Sequence, residues 1–557
     1  MQRKEGFLPE FYCWFPCAAV CVWLALEGFY RACFAWLTPM LEEVSLLHYA
    51  AWLIDTQGYI PYKDVFETAF PGSLLFHMAI GHFLGYGDNA FHLFDFFWLA
   101  ILMLITWLIL RVFSQSVAWV GAIAFAAVYL CLGGAMTLQR DYVGILPVAL
   151  ALLLVRYDSV PVLWRGAGAG FLFGIAASMK PHLVIGLPVI AYLLLFPAEE
   201  MPTGKQYWRQ KSVCTGLAGI FLGAGLPILW VSTAGGFTAY AGMVTEYLPV
   251  YMGDDGIRTT LWHILKATWL EGWINSNIPV DLGGENLKAS GFVWQTANIS
   301  GHLLSALLAW VLIAGLGIAR GFSQTEPDSR QRQWVVAILM LFLLYWIYPV
   351  LANKYWNYHW MPFRYFAVLC ASLLLLPARK QDKQAKWGVV FSFTVFIYLM
   401  NRQLPPPNDL TVQETLHEWQ ESGFERERKQ ADEIADFLRA HLRPGDLVQP
   451  LDEGGPAMRA MLTSKALLAT PYMTYRQLLV NDINPQVKAM RERFLVKMQQ
   501  TPPRYIIDTH TATKKSFAGE PYAFEALDQI LDIHYRKVVD ICNDARCTLT
   551  IWELNPG

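Results

Sequence analysis

Charged residues are scarce in this sequence. Only 16% of its 557 residues are Asp, Glu, Lys or Arg, whereas a soluble globular domain carries roughly a quarter. Hydrophobic residues make up 55% of the chain, and the mean hydropathy is +0.32. This composition excludes an ordinary soluble protein and predicts an integral membrane protein.

Several common signatures are also missing. The net charge is −2 and no basic tract is present, so the sequence indicates no nucleic-acid partner. It contains no Walker A motif and no glycine-rich dinucleotide fingerprint. Internal repeats are not visible. The nine cysteines are scattered. Cys13, Cys17 and Cys21, at four-residue spacing in the first apolar segment, fit a lipid-facing helix stripe better than a metal site.

Long apolar runs are abundant. Runs able to span the roughly 30 Å hydrocarbon core begin near residues 11, 91, 117, 143, 166, 183, 213, 300, 334, 362 and 387. The first run is too long for a secretory signal and has no cleavage site, so it is predicted to be an uncleaved span. The sequence predicts a mainly α, polytopic membrane protein with about 11 transmembrane helices.

Positive charge predicts the orientation. With the N-terminus cytoplasmic, every predicted inner turn is basic: Arg111, then Arg156 and Arg165, then Lys205, Arg209 and Lys211, then Arg320, Arg330 and Arg332, then Arg379, Lys380, Lys383 and Lys386. An odd number of spans then places everything after Met400 on the outer face.

The character of the chain changes near residue 402. A proline-rich linker, "NRQLPPPND", precedes a normally charged segment in which helix and strand patterns alternate. The sequence therefore predicts a transmembrane domain at 1–401 and a small α/β domain at 402–557 on the outer face. Cys542 and Cys547 flank a predicted terminal hairpin turn, and outside the cytoplasm they are expected to form a disulfide.

Ionisable and aromatic residues gather in the predicted outer segments. Because such residues are costly at membrane depth, they are usually paired or functional. The candidates are Glu42, Glu43, Tyr62 and Asp64 in the first outer segment, Arg140 and Asp141 in "QRDYVG", Lys180 and His182 in "SMKPHL", and Lys354 and His359 in "NKYWNYHWMP".

Each cluster has an ordinary explanation when taken alone. The two glutamates, in the first turn of a predicted amphipathic helix along the membrane surface, suit a helix N-terminus. Arg140 and Asp141 suit a local ion pair, and Lys180 suits a lysine that reaches the interface. The aromatic residues around His359 suit an interface belt.

Together, carboxylates and cations on one membrane face fit transfer from an anionic lipid-phosphate donor, because cations neutralise the leaving phosphate and a carboxylate accepts the proton of an attacking hydroxyl.

These segments resemble the bacterial GT-C membrane glycosyltransferases that use polyprenyl-phosphate sugars, including protein mannosyltransferases and the aminoarabinose transferase of lipid A. The stretch "EEVSLLHYAAWLIDTQGYIPYKD" is similar to the first outer loop of that family, with its acidic pair and G-x-x-P-Y-x-D segment. The segments "QRDYVGILPVALALLL", "GIAASMKPHLVIGLPVIAYLLL" and "NKYWNYHWMP" resemble later family segments. The organisation of the whole chain is similar.

The resemblance implies roles for these residues. Glu42 or Glu43 would be the catalytic base, with Glu42 standing where the family usually has Asp. Asp141 would position the acceptor or a metal, while Arg140, Lys180, Lys354 and His359 would serve the donor phosphate. His182, Tyr62 and Asp64 are further candidates for binding the donor phosphate or the substrate. Some family members use a divalent cation such as Mg or Mn. The implied protein lies in the bacterial inner membrane with a periplasmic C-terminal domain, and passes a sugar to a hydroxyl of an envelope glycan, glycolipid or protein, with inversion.

Three other functions are compatible with the pattern. A lipid-linked-sugar flippase or transporter would place its ionisable residues at the midplane of two matching halves. A polysaccharide polymerase or ligase would share the lipid-linked donor. A non-catalytic assembly scaffold would tolerate amide replacements of Glu43 and Asp141.

Overall fold

The computed structural model describes residues 8–40, 42–132, 136–196, 204–253, 306–351, 357–376, 423–452, 455–479, 484–510, 524–543 and 546–556. Within these ranges the chain is mostly helical and carries one small sheet.

The chain forms two compact units that interleave along the sequence. Unit 1 comprises residues 1–37, 95–226 and 258–409, and unit 2 comprises residues 38–94, 227–257 and 410–557. Composition predicted two contiguous domains that meet near residue 402. In the structure, the first outer segment belongs to the same unit as the C-terminal region.

Unit 1 is a helical bundle. Its helices are α1 (Leu8–Leu37), α4 (Asp88–Leu110, from Asp95), α5 (Gln115–Cys131), α6 (Arg140–Val143), α7 (Ile145–Arg156), α8 (Val162–Met179), α9 (Leu187–Leu195), α10 (Gly204–Thr233, to Leu226), α13 (Ala306–Gln324), α14 (Arg330–Leu351) and α15 (Met361–Ser372). Short 3₁₀ turns occupy Pro181–Gly186, Asn357–Trp360 and Leu373–Leu375.

The helices match the apolar pattern of the sequence. The first ten predicted spans each overlap one of these helices, and the run near 387 lies outside the described residues. Among the described residues, four helices are long and apolar enough to cross a bilayer, namely Asp88–Leu110, Val162–Met179, Tyr207–Thr233 and Arg330–Pro349. The protein is therefore a multi-pass membrane protein, while the count of about 11 spans stays a prediction.

A stripe of glycines joins α8 to α10. A Cβ added to Gly166, Gly170 or Gly174 would lie 2.0, 1.9 or 2.4 Å from a backbone oxygen of α10. Their spacing of four residues puts them on one helical face, and small residues let membrane helices approach closely. The two backbones are in direct contact because no side chain separates them.

We expect Gly170→Ala to separate α8 from α10 and to destabilise the protein by about 1–3 kcal/mol, the usual range for overpacking. The matched control is Gly225→Ala, because a Cβ there has no atom within 4 Å. Thermal midpoints in detergent, followed by size-exclusion chromatography, measure the difference. Equal midpoints for the two variants would contradict this close packing.

Unit 2 combines helices with a five-stranded sheet. Its helices are α2 (Glu42–Gln57), α3 (Pro71–Leu84), the start of α4, the end of α10, α11 (Phe237–Gly242), α12 (Leu248–Gly253), α16 (Gly423–His441), α17 (Pro456–Ser464), α18 (Arg476–Leu479), α19 (Pro485–Gln500) and α20 (Glu525–His534), with a π-helical turn at Met243–Tyr247. The strands are β1 (Leu447–Leu451), β2 (Leu467–Leu468), β3 (Tyr505–Asp508), β4 (Tyr535–Asn543) and β5 (Arg546–Leu554).

The sheet has the strand order β2-β1-β3-β5-β4. The β2, β1 and β3 strands are parallel, and β5 pairs antiparallel with both β3 and β4. The sequence pattern predicts strands at "LVQPL" and "RYIIDTH" and a terminal hairpin. The first strand and the hairpin are present, and the second strand covers Tyr505–Asp508. In the hairpin register Cys542 lies opposite Cys547. Their side chains lie outside what the structure describes, so the disulfide stays a prediction.

The α2 helix forms as predicted, but its predicted position on the membrane surface is wrong. Every residue from Val44 to Leu53 is at most 5% exposed. The face that the sequence left polar is covered by a distant part of the chain, since the Tyr49 hydroxyl donates to the Ala466 carbonyl at 2.8 Å. Burial lowers the pKa of His48 to about 3, so this imidazole is neutral inside unit 2.

Candidate active site

Arginines and one glutamine form a layer at one end of the unit 1 bundle, which we call the arginine layer. Their side chains donate to carbonyl groups at helix C-termini: Arg156 to Leu108, Arg209 to Leu194, Arg320 to Leu376, Arg330 to Arg156, Arg332 to Phe322, and Gln333 to Phe196. Asp158 links the layer through ion pairs to Arg165 at 2.8 Å and Arg330 at 2.9 Å.

The arginine layer has a clear physical origin. The last carbonyls of a helix have no partner within the helix and carry partial negative charge, so cations are stabilising there. These arginines are the ones that the charge pattern predicts at the cytoplasmic side.

A second polar cluster lies at the other end of the same helices. From Arg165 the α8 helix continues to Lys180 over about 22 Å at 1.5 Å per residue. Along α14, Arg330 and Tyr348 are separated by about 27 Å by the same rise. These separations approach the roughly 30 Å thickness of the hydrocarbon core. The second cluster therefore lies at the end of these helices opposite the arginine layer.

Asp141 is the centre of this second cluster. Its Oδ2 accepts a hydrogen bond from Lys180 Nζ at 2.7 Å, and its Oδ1 accepts one from the Tyr348 hydroxyl at 2.6 Å. The Asp141 side chain is 1% exposed and that of Lys180 is 11% exposed. A buried carboxylate is stable only when it is paired and hydrogen-bonded, and both of its oxygens meet that condition. We name these three residues the Asp141 cluster.

Aromatic rings and one further cation lie near the cluster. Lys180 Nζ lies 5.5 Å from the ring centroid of Tyr358, within range for a cation–π contact. The His182 ring lies edge-on to the Tyr348 ring with centroids 6.2 Å apart. Arg140 is adjacent in sequence to Asp141 and lies within electrostatic reach of the Tyr348 hydroxyl. This end of unit 1 is thus rich in cations and π-faces.

Local sequence explains why Asp141 and Lys180 meet. Pro181 follows Lys180 and ends α8, so Lys180 leaves the helix with extended backbone angles of φ −150° and ψ 107°. Asp141 lies in the first turn of α6, a four-residue helix that directly precedes α7. Gly144, just after α6, approaches Leu183 so closely that an added Cβ would lie 2.1 Å from its methyl carbon.

The residues predicted in the first outer segment belong to unit 2. Glu42 and Glu43 occupy the first turn of α2, and Glu43 is half-buried. Tyr62 adopts φ 64°, is 2% exposed and donates to the Ala69 carbonyl at 2.6 Å. Asp64 accepts from the Ile60 amide at 2.9 Å. These two hydrogen bonds of Tyr62 and Asp64 hold their own loop.

The last predicted pair is only partly described. His359 lies in the 3₁₀ turn Asn357–Trp360 of unit 1, is 3% exposed and contacts the Tyr358 ring with centroids 4.3 Å apart. Tyr358 is also the ring beneath Lys180, so His359 is one residue from the Asp141 cluster. Lys354 lies outside the described residues.

The donor set at Asp141 does not fit a divalent cation. Mg²⁺ and Mn²⁺ prefer several oxygen ligands, and both carboxylate oxygens of Asp141 are already held by an ammonium and a hydroxyl. Within the part of the chain that the structure describes, no group of three or more His, Cys, Asp or Glu residues is placed to hold a metal.

Two residues of this region were not singled out from the sequence. Tyr348 lies 207 positions from Asp141, and a tyrosine near the end of an apolar helix carries no signal for such a contact. Asp95 is an acidic residue inside a predicted span and is 1% exposed. Its charge at membrane depth was the signal that could have found it.

No protein-family model and no curated relative matches the chain. Solved structures give weak similarities at 12% sequence identity. The apo oligosaccharyltransferase of Archaeoglobus fulgidus has a TM-score of 0.46, with 95% of this chain and 80% of that chain covered. ArnT from Cupriavidus metallidurans has a TM-score of 0.41 in its apo state, with 96% and 98% covered, and 0.40 when bound to undecaprenyl phosphate, with 95% and 97% covered.

Proposed function

We propose that this protein is a membrane glycosyltransferase. It takes a sugar from a polyprenyl-phosphate carrier and passes it to a hydroxyl of an envelope glycan, glycolipid or protein on the periplasmic face of a bacterial inner membrane. The observation that carries this proposal is the buried Asp141 cluster, which sits at the end of the bundle opposite the arginine layer.

The arginine layer supports the membrane orientation in this proposal. Lys and Arg flanking membrane spans are enriched on the cytoplasmic side, so the end that carries Arg156 and Arg330 faces the cytoplasm. Lys180 and Asp141 then lie near the periplasmic boundary. The phosphate of a polyprenyl carrier in the outer leaflet occupies that same depth, with its isoprenoid tail among the helices.

Lys180 is the proposed electrostatic partner of the donor phosphate. Its ammonium carries three N–H donors, and the contact with Asp141 holds the long side chain in one position. In the reaction the phosphate gains negative charge as the sugar departs, so a fixed cation beside it stabilises the transition state more than the ground state. Arg140, His182, Lys354 and His359 add positive charge or hydrogen-bond donors in this proposal. The Tyr358 ring offers a surface for a sugar ring or the first isoprene.

The proposed chemistry is a direct displacement. An acceptor hydroxyl attacks the anomeric carbon, the bond from that carbon to the phosphate oxygen breaks, and its electron pair leaves with the polyprenyl phosphate. The hydroxyl proton passes to Glu43 or Glu42 as general base. Because attack and departure occur on opposite faces, the configuration at the anomeric carbon inverts.

The depth of the cluster distinguishes this proposal from a transporter. A flippase would need its ionisable residues near the midplane, at broken helices of two matching halves. Lys180 instead lies about 22 Å along α8 from Arg165 by helical rise. This position suits chemistry at a membrane surface. A polymerase or ligase uses the same donor position and differs in the length of the glycan moved.

Reconstituted protein tests the proposal directly. In proteoliposomes that contain labelled polyprenyl-phosphate monosaccharides and an envelope extract as acceptor, we expect label to leave the lipid fraction and enter the acceptor. A nucleotide sugar supplied as donor should give no transfer. Movement of labelled lipid between leaflets without transfer to any acceptor would contradict the enzyme and support a flippase.

A further inference from the structure

We propose that Asp95 and Tyr129 are positioning residues that hold the Asp141 loop, defined as residues 136–144, in the geometry needed for Lys180 to meet the donor phosphate. This inference rests on the proposed function and adds two residues to it. Both lie in unit 1, on α4 and α5.

Asp95 plays no part in the proposed reaction, but a carboxylate at this location calls for an explanation. It lies within Asp88–Leu110, a helix long and apolar enough to cross a bilayer, and it is 1% exposed. Carboxylates inside membrane helices are rare and mark functional or structural polar networks. Asp95 Oδ1 accepts a hydrogen bond from the Tyr129 hydroxyl at 2.6 Å. The carboxylate therefore serves to fix the rotation of that hydroxyl.

Tyr129 connects this carboxylate to the Asp141 loop. Since its hydroxyl proton points to Asp95, its oxygen is oriented to accept, and the Leu138 amide donates to it at 3.2 Å. The Tyr129 ring also stacks on the ring of Tyr142, with centroids 3.9 Å apart and an interplanar angle of 16°. One side chain thus holds the loop on both sides of Asp141.

The held conformation is one that the loop would not favour alone. Leu138 adopts φ 49°, in the left-handed region that non-glycine residues seldom occupy. Three residues later Asp141 meets Lys180 and Tyr348. If the Leu138 amide lost its acceptor, the backbone would be released toward ordinary angles, and Asp141 would shift away from Lys180. A displacement of about 1 Å at a reacting centre can reduce rates a hundredfold.

The test uses Tyr129→Phe in the full-length protein in proteoliposomes. We expect kcat for sugar transfer to fall by about tenfold to a hundredfold, with little change in KM for the lipid donor. The matched control is Tyr365→Phe, which removes another buried hydroxyl bonded to α4, through Thr106 at 2.9 Å. That variant should retain transfer. At position 95, Asn keeps an acceptor for Tyr129 and should be active, while Leu should behave like Tyr129→Phe.

A double-mutant cycle separates positioning from general stability. If Tyr129 acts through the Asp141 loop, adding Tyr129→Phe to Asp141→Asn should reduce the rate by less than about twofold, because coupled residues are not additive. Fully additive losses, or a Tyr129→Phe enzyme as active as Tyr365→Phe, would overturn the inference.

Hydrogen exchange gives a readout that does not need activity. Tyr129→Phe should speed exchange of the peptide covering residues 136–144, and Tyr365→Phe should leave it unchanged. Unchanged exchange in Tyr129→Phe would refute the positioning role whatever the activity. If the wild-type protein transfers no sugar from any polyprenyl-phosphate donor while this exchange difference is present, the proposed function fails and the structural part of the inference stands.

Discussion

Lys180→Met is expected to reduce sugar transfer by about a hundredfold or more, the usual loss when one transition-state charge stabiliser is removed. It also leaves the Asp141 carboxylate buried without its cation. Breaking a buried pair from one side costs about 3–5 kcal/mol, so the single variant should unfold at a lower temperature. Loss of activity alone would thus be ambiguous between chemistry and stability.

The double variant Asp141→Asn with Lys180→Met resolves this ambiguity. It removes both charges, and the Asn carbonyl oxygen can still accept from the Tyr348 hydroxyl. We expect the thermal midpoint to recover toward that of the wild type while transfer stays low, because the phosphate still lacks its ammonium. Recovery of activity together with stability would show that the ion pair supports only the fold.

Two matched controls lie in the same unit. Tyr345→Phe removes a fully buried hydroxyl from α14 that donates to the Leu183 carbonyl at 2.7 Å, so it reproduces the loss of a buried hydrogen bond without touching Asp141. Asp158→Asn removes an ion-paired carboxylate from the arginine layer. Both variants should retain transfer, whereas Tyr348→Phe should lower it.

Replacement of the acidic pair at the start of α2 is expected to have the second large effect. Only one of the two glutamates is the proposed base. We therefore expect one variant, Glu43→Gln or Glu42→Gln, to lower kcat by about a hundredfold to ten-thousandfold, the range for a general acid–base group, and the other variant to keep most of its activity.

Glu433→Gln provides the control for the acidic pair. Glu433 is exposed on α16 in the same unit, so its replacement changes net charge equally without reaching the proposed base. Each variant is compared at equal protein levels in the membrane. Transfer that persists in Glu42→Gln, in Glu43→Gln and in the variant carrying both would remove this pair from the mechanism.

The elements of the fold follow closely from local sequence signals. Apolar length predicts α4, α8, α10 and α14, because a helix is the structure that satisfies its own backbone groups in lipid. Proline and glycine mark the ends of several helices. For example, Pro181 follows Lys180 at the end of α8. The packing signal that sequence reasoning overlooked is the four-residue spacing of Gly166, Gly170 and Gly174, which the contacts with α10 explain.

The sequence predicts which residue types form the candidate site better than it predicts which residues contact each other there. Asp141 and Lys180 drew attention because ionisable groups are expensive in a membrane, and the structure brings them to 2.7 Å. No sequence pattern indicated that Tyr348 contacts Asp141. The sequence also assigned Tyr62 and Asp64 to substrate, whereas the structure shows them bonded within their own loop; a substrate role for them stays a prediction.

By itself the sequence determined the membrane class, the positions of the apolar helices, the basic turns and the residues that carry ionisable groups. These features depend on composition and on contacts within one turn or one span. Only the tertiary structure decided that α2 is buried, that the first outer segment shares a unit with the C-terminal region, and that Asp141 meets Lys180 and Tyr348. Those outcomes depend on which distant surfaces come together, and a local pattern of apolar and polar residues is compatible with many different partners.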